Sequence, residues 1–146
     1  MKRTYLCLYL TVVIPIYLLS QTTPPSVPYS KAIEANGFLF ISGHLGTKDG
    51  KLMDETFETE AHQSMQNIKD VLTDKGLTFD DVVSVIIYLK DMNDYDRLNA
   101  VYRTYFTTRF PTRTCIQVAA LPRNGHVEIS ATAVMPKKKN RKKQKP

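Results

Sequence analysis

Val82-Val83-Ser84-Val85-Ile86-Ile87-Tyr88-Leu89 is the run on which the reading of the fold turns. It is apolar and β-branched, it is bounded by Asp80-Asp81 and Asp91, and its eight residues suit a buried strand. On both sides of it the hydrophobic period changes to that of a helix. Upstream, Ala61, Met65, Ile68 and Leu72 recur at helical spacing between about Thr56 and Lys75, and Gly76 stands where a left-handed C-cap belongs. Downstream, Asn93 or Asp94 caps a second helix carrying Tyr95, Leu98, Val101, Tyr102, Tyr105 and Phe106, which Pro111 closes off.

Working outward, Ala32 to Ala35 turns at Asn36-Gly37 into Phe38-Leu39-Phe40-Ile41-Ser42, a hairpin signal, and Gly43 is expected to end that second strand. Lys48-Asp49-Gly50-Lys51 reads as another turn. Pro111 to Val118, and the segment that carries Val127, Ile129, Ala131 and Ala133, read as the two last strands. The predicted order is β-β-helix-β-helix-β-β, an α+β fold with two helices on one face of a mixed, mostly antiparallel sheet. The second face of that sheet needs cover, and self-association supplies it economically.

The last two strands hold the chemistry. In Pro111-Thr112-Arg113-Thr114-Cys115-Ile116-Gln117-Val118, strand alternation puts Arg113, Cys115 and Gln117 on one face. In the other strand Val127, Ile129, Ala131 and Ala133 form the apolar row, leaving Glu128 as the one charge on the reverse side. A nearby cation favours thiolate, which counts against reading Cys115 as an inert packed thiol. Taken singly, each has a bland reading: a solvated arginine, a wet-face carboxylate, a cysteine packed as a small hydrophobe. His44, His62 and His126 lack ligand spacing, and no metal site is expected.

The net charge of +6 dissolves on inspection. Nine of the twenty basic residues lie at the ends, Lys2 and Arg3 and then seven between Lys137 and Lys145, leaving eleven against fourteen acidic ones, a net of −3 for the body. Residues 137–146 read as a disordered basic tail; without interleaved aromatics it fits anionic-surface contact rather than sequence-specific nucleic-acid binding. Residues 1–20 read as a targeting segment, with Lys2-Arg3 before an uncharged run and Leu18-Leu19-Ser20 before Gln21 as a cleavage site. An uncleaved anchor and a first strand within Ile16–Thr22 are the other readings. Export implies a periplasmic or secreted protein whose mature chain, without Cys7, holds Cys115 alone; the alternative is cytoplasmic.

Pro28-Tyr29-Ser30-Lys31-Ala32-Ile33, Ile41-Ser42-Gly43-His44, Lys90-Asp91-Met92-Asn93-Asp94-Tyr95, Asn99-Ala100-Val101-Tyr102, Pro111 to Cys115, and Leu121-Pro122 through Glu128-Ile129 follow one another in an order that resembles the RidA (YjgF) family of imine deaminases. The resemblance covers about residues 24–134, which places a RidA-like domain within residues 21–136. Val27 stands where the family usually has glycine, and His44 where glutamine is common. The resemblance implies a chorismate-mutase-like fold, a homotrimer with sites between subunits, and hydrolysis of 2-imino or 2-enamino acids, such as 2-iminobutanoate and 2-iminopropanoate, to 2-keto acids and ammonia without metal or organic cofactor. It further implies that Arg113 anchors the substrate carboxylate and Glu128 handles the water. Cys115 would line the pocket, Tyr29 close it, Gly43 lend backbone and Asn99 brace the site. A noncatalytic ligand-binding or chaperone-like trimer with an anion-binding tail is the alternative.

Overall fold

The computed structural model describes residues 27–136. The targeting segment read at 1–20, Cys7 and the basic tail at 137–146 lie outside the described residues. Seven strands and two helices form the body: β1 (Ala32–Ala35), β2 (Phe38–Leu45), β3 (Thr47–Lys48), β4 (Lys51–Leu52), α1 (Phe57–Asp74), β5 (Val82–Leu89), α2 (Tyr95–Arg103), β6 (Thr112–Gln117) and β7 (Val127–Val134). The main sheet has the order β1-β2-β7-β5-β6, and every pairing is antiparallel except β5 with β6. That parallel pair is joined through α2, as a crossover requires. The chain is therefore α+β, with a mostly antiparallel sheet and two helices.

Local chemistry explains the boundaries. Asn36 (φ 50°) and Gly37 (φ 80°) both lie in the left-handed region, which makes the two-residue turn that matches strand twist. Asp49 and Gly50 repeat the device and close the small β3-β4 hairpin, an element that the sequence reading had as a turn only. Thr56 caps α1, its side chain accepting from the Thr59 backbone N–H, with Glu58 and Glu60 in the first turn where the helix dipole favours acids. Gly76 follows the last turn at φ 69°.

Three expectations are corrected. Gly43 does not end its strand: β2 runs on to Leu45, and the register shifts between Ile41 and His44, so Ser42 and Gly43 form a bulge. The Val82–Leu89 strand is covered on one face only; Val82, Val85, Ile87 and Leu89 are buried whereas Ile86 is 38% exposed. The second helix, with its N-cap at Asp94 and a 3-10 turn ahead of it that the Asp91 side chain opens by accepting from the Asn93 N–H, carries neither Tyr105 nor Phe106. That helix ends at Arg103, where the Thr104 hydroxyl bonds back to the Val101 carbonyl. Phe106 is buried from the loop beyond, against Tyr102 and Phe79 at ring separations of 4.6 and 5.1 Å.

One face of the sheet, through Leu39, Ile41, Val85, Ile87, Leu89, Val127, Ile129, Ala131 and Ala133, packs on Ala61, Met65, Ile68 and Leu72 of α1 and Leu98, Val101 and Tyr102 of α2. On the opposite face Phe38, Phe40, Ile86, Ile116 and Val134 remain exposed in the single chain.

Candidate functional site

Register decides which groups can meet, because paired residues on neighbouring strands point to the same face. Arg113 pairs with Val85 and Cys115 with Ile87, both buried, so Arg113 and Cys115 stand on the helix-covered side at the β6 edge. Glu128 pairs with Tyr88 and with Leu45, in alternation with buried Val127 and Ile129, and so belongs to the open face. Two strand spacings, about 10 Å, separate β6 from β7 because β5 lies between them. Within one chain Arg113 and Glu128 are brought to opposite sides of the sheet.

The Arg113 half is a rigid cradle. Its Nη1 donates to Asn99 Oδ1 at 2.8 Å and its Nη2 to Tyr95 Oη at 2.9 Å, both acceptors on α2. The guanidinium also lies 4.9 Å from the Tyr102 ring centroid and 5.4 Å from that of Tyr95, within cation–π range. Two of five N–H donors are thus occupied and the rest of the planar fork is open. It faces a cleft of about 360 Å³ lined by Asn99, Tyr102, Arg103, Phe110, Pro111 and Arg113. Tyr102 is 3% exposed and its hydroxyl is buried with no hydrogen-bond partner among the described residues. Burial pushes that phenol up to about 12, against the pull of Arg113, so it keeps its proton.

Cys115 is half-buried beside this cradle, and burial raises its thiol pKa more than Arg113 lowers it. Desolvation outweighs a guanidinium that is already engaged by Asn99 and Tyr95, and the sulfur stays a thiol.

The Glu128 half sits against the β2 bulge. A Cβ placed on Gly43 would fall onto Glu128 Oε1, so only glycine leaves room for the carboxylate there. Burial raises the Glu128 pKa. Tyr29 is 61% exposed just before β1, at the far edge of the sheet from β6, four strand spacings or about 19 Å away. Next to the bulge, burial and then Lys31 hold His44 below its ordinary value, and its Nε2 is buried without a partner among the described residues.

Two sets of residues escaped the sequence reading. Tyr95 and Tyr102 flank Arg113; with Asn99 they follow the i, i+4, i+7 spacing of one helix face, a signal that was present but was read as core. The other set is a polar stripe on α1. Ser64 Oγ donates to the His44 carbonyl at 2.7 Å, and Asn67 Nδ2 donates to the Leu45 and Thr47 carbonyls, each at 2.9 Å. Glu60, fully buried, accepts from the backbone N–H groups of His126 (2.7 Å) and Val127 (3.2 Å) and contacts His126 Nδ1 at 2.8 Å. This stripe fixes the end of β2 and the start of β7, the two segments that meet at Gly43 and Glu128.

Sheet order, bulge and arginine cradle define a small α+β protein with an arginine-anchored cleft at one sheet edge and a carboxylate on the open face. A family model described as endoribonuclease L-PSP matches residues 20–135, and the chain belongs to that family, the group that includes RidA, YjgF and RutC proteins. A RutC family protein of Pyrococcus horikoshii is 40% identical over 111 residues, 75% of this chain and 88% of that protein. A Mus musculus protein named 2-iminobutanoate/2-iminopropanoate deaminase is 39% identical over 121 residues, 80% of this chain and 90% of the mouse one. Among solved structures, E. coli TdcF with bound serine superposes with a TM-score of 0.72 at 30% identity, covering 75% of this chain and 90% of that one.

Proposed function

We propose that this protein hydrolyses 2-imino and 2-enamino acids to 2-keto acids and ammonia, in a site assembled between copies of the chain. The observation that carries the reading is the Arg113 cradle: a guanidinium held by Asn99 and Tyr95 over aromatic rings, with the open part of its fork turned to a cleft. That arrangement is built to take a planar carboxylate, the one group every 2-imino acid has beside its C=N carbon. The relative named as a deaminase and the related structure holding serine, an α-amino acid, support the same substrate class.

Glu128 is the water-handling group. Its carboxylate accepts a proton from water as the oxygen attacks the carbon of the protonated imine, whose π electrons move to nitrogen, giving a neutral carbinolamine. Glu128 returns that proton to the amine nitrogen, the C–N bond breaks as the carbonyl forms, and the hydroxyl proton leaves with the departing ammonia as ammonium. Imine hydrolysis is intrinsically easy, and about 3 to 4 kcal/mol of barrier lowering already gives a factor of several hundred. Positioning and one carboxylate suffice for that.

Since Arg113 and Glu128 of one chain are on opposite faces, the complete site takes its arginine edge from one subunit and its carboxylate face from the next. A homotrimer closes such head-to-tail contacts into a ring. The exposed row of Phe38, Phe40, Ile86, Ile116 and Val134 is the surface such an assembly would cover, and Tyr29, extended at the other edge, would close the pocket of a neighbour. The test is to generate 2-iminobutanoate or 2-iminopropanoate in situ with an amino-acid oxidase and follow its decay. The protein is expected to accelerate decay and the Arg113→Ala variant to match buffer alone; an Arg113→Ala variant as active as the parent would sink the reading.

A further inference from the structure

Arg103 is the second guanidinium of the cleft. It is the last residue of α2, four positions beyond Asn99, which puts it on the same helix face about 6 Å further along the axis. It is exposed, lines the same cleft as Arg113, and makes no hydrogen bond or ion pair among the described residues. Between the two cations the wall is apolar, formed by Pro111, the exposed ring of Phe110 and the Tyr102 ring that stacks 6.3 Å from it. The cleft thus carries two cations and an apolar wall.

We propose that this cleft selects short dicarboxylates, with one carboxylate on the open fork of Arg113 and the second on Arg103. The methylene groups between them lie along Phe110 and Pro111. The inference deepens the deaminase reading and rests on it for Arg113 as the anchor: the preferred substrates become 2-imino acids whose side chain ends in a second carboxylate, rather than those with a plain alkyl side chain. A monocarboxylate leaves Arg103 unpaired and gains from one end of the cleft only.

Binding of the two keto-acid products separates this from the catalytic proposal. In calorimetric titrations, 2-oxoglutarate is expected to bind the parent protein at least about tenfold more tightly than 2-oxobutanoate. In Arg103→Gln that ratio falls toward one, and in Arg103→Lys, which keeps the charge but loses the fork, part of it returns. Equal affinities for the two acids in the parent protein, or a preference that Arg103→Gln leaves intact, would overturn the proposal. Imines made in situ from glutamate and from 2-aminobutanoate provide the second arm. Accelerated decay of the alkyl imine alone also counts against a dicarboxylate site. No acceleration of either imine, with the binding preference and its loss in Arg103→Gln unchanged, removes the deaminase reading and leaves the dicarboxylate site standing.

Discussion

Glu128 keeps its place beside Gly43 only because the glycine has no side chain. Gly43→Ala would set a methyl group where Glu128 Oε1 now lies, so the carboxylate has to rotate away. A displacement of about 1 Å at a reacting group is worth about 100-fold in rate; loss of that size with an unchanged circular dichroism spectrum is the expected result. Burial raises the Glu128 pKa, which gives two pH signatures. The proposed water-activating form is the carboxylate, so the acid limb of kcat/KM lies above the ordinary glutamate value of about 4.3. Stability goes the other way. Between the unfolded and the raised folded value the native state holds a proton that the unfolded chain releases, so stability falls as pH rises through that window, and the cost persists above it. Glu128→Gln removes that cost. It is expected to lower turnover by about 100-fold or more while raising the thermal midpoint at neutral pH by about 1 to 2 °C, the half-exposed position keeping the gain small. Below about pH 4 the two proteins should melt together.

At the scale of elements, α1 does two jobs with two faces. Ala61, Met65, Ile68 and Leu72 fill the core, whereas Glu60, Ser64 and Asn67 tie down backbone at the ends of β2 and β7. Glu60→Ala strips the acceptor from two backbone N–H groups, and a loss of about 3 kcal/mol in urea unfolding, with unchanged m-value, is expected; Glu60→Gln keeps an acceptor and should lose less. The apolar stripe was legible from the spacing of its residues, and the polar one was not. An acidic residue in the first turn of a helix reads as a dipole partner, and nothing local says that a backbone from 66 residues away will settle on it. The same limit applies at the β2 bulge: Gly43 read as a strand end, and what lies against it depends on the pairing of β2 with β7. Helix and strand types followed from period, the first hairpin from Asn36-Gly37 and a turn from Asp49-Gly50, whereas the β3-β4 pairing and the one-sided burial of β5 had to wait for the structure.

For the whole molecule, strand alternation read Arg113 with Cys115, and Glu128 on the polar side of its own strand, and both placements hold. What alternation could not read was the strand order, in which β5 enters between β6 and β7, so that adjacent strands in sequence become second neighbours on opposing faces. A site shared between subunits follows as a test of assembly. Arg113→Ala and Glu128→Gln subunits, each inactive alone, should regain about a quarter of parental activity when co-assembled at equal ratio, the fraction of random neighbours with both groups intact. If each chain used its own two residues, mixing would restore nothing.

In a site shared as proposed, Arg113 and Glu128, on opposite faces of one sheet, would also link output to abundance. A solitary folded chain would own both reactive groups yet never offer them to the same molecule. Turnover per chain would then depend on how crowded the chains are, falling away on dilution through the assembly threshold while every subunit keeps its fold, and returning at once when copies meet again.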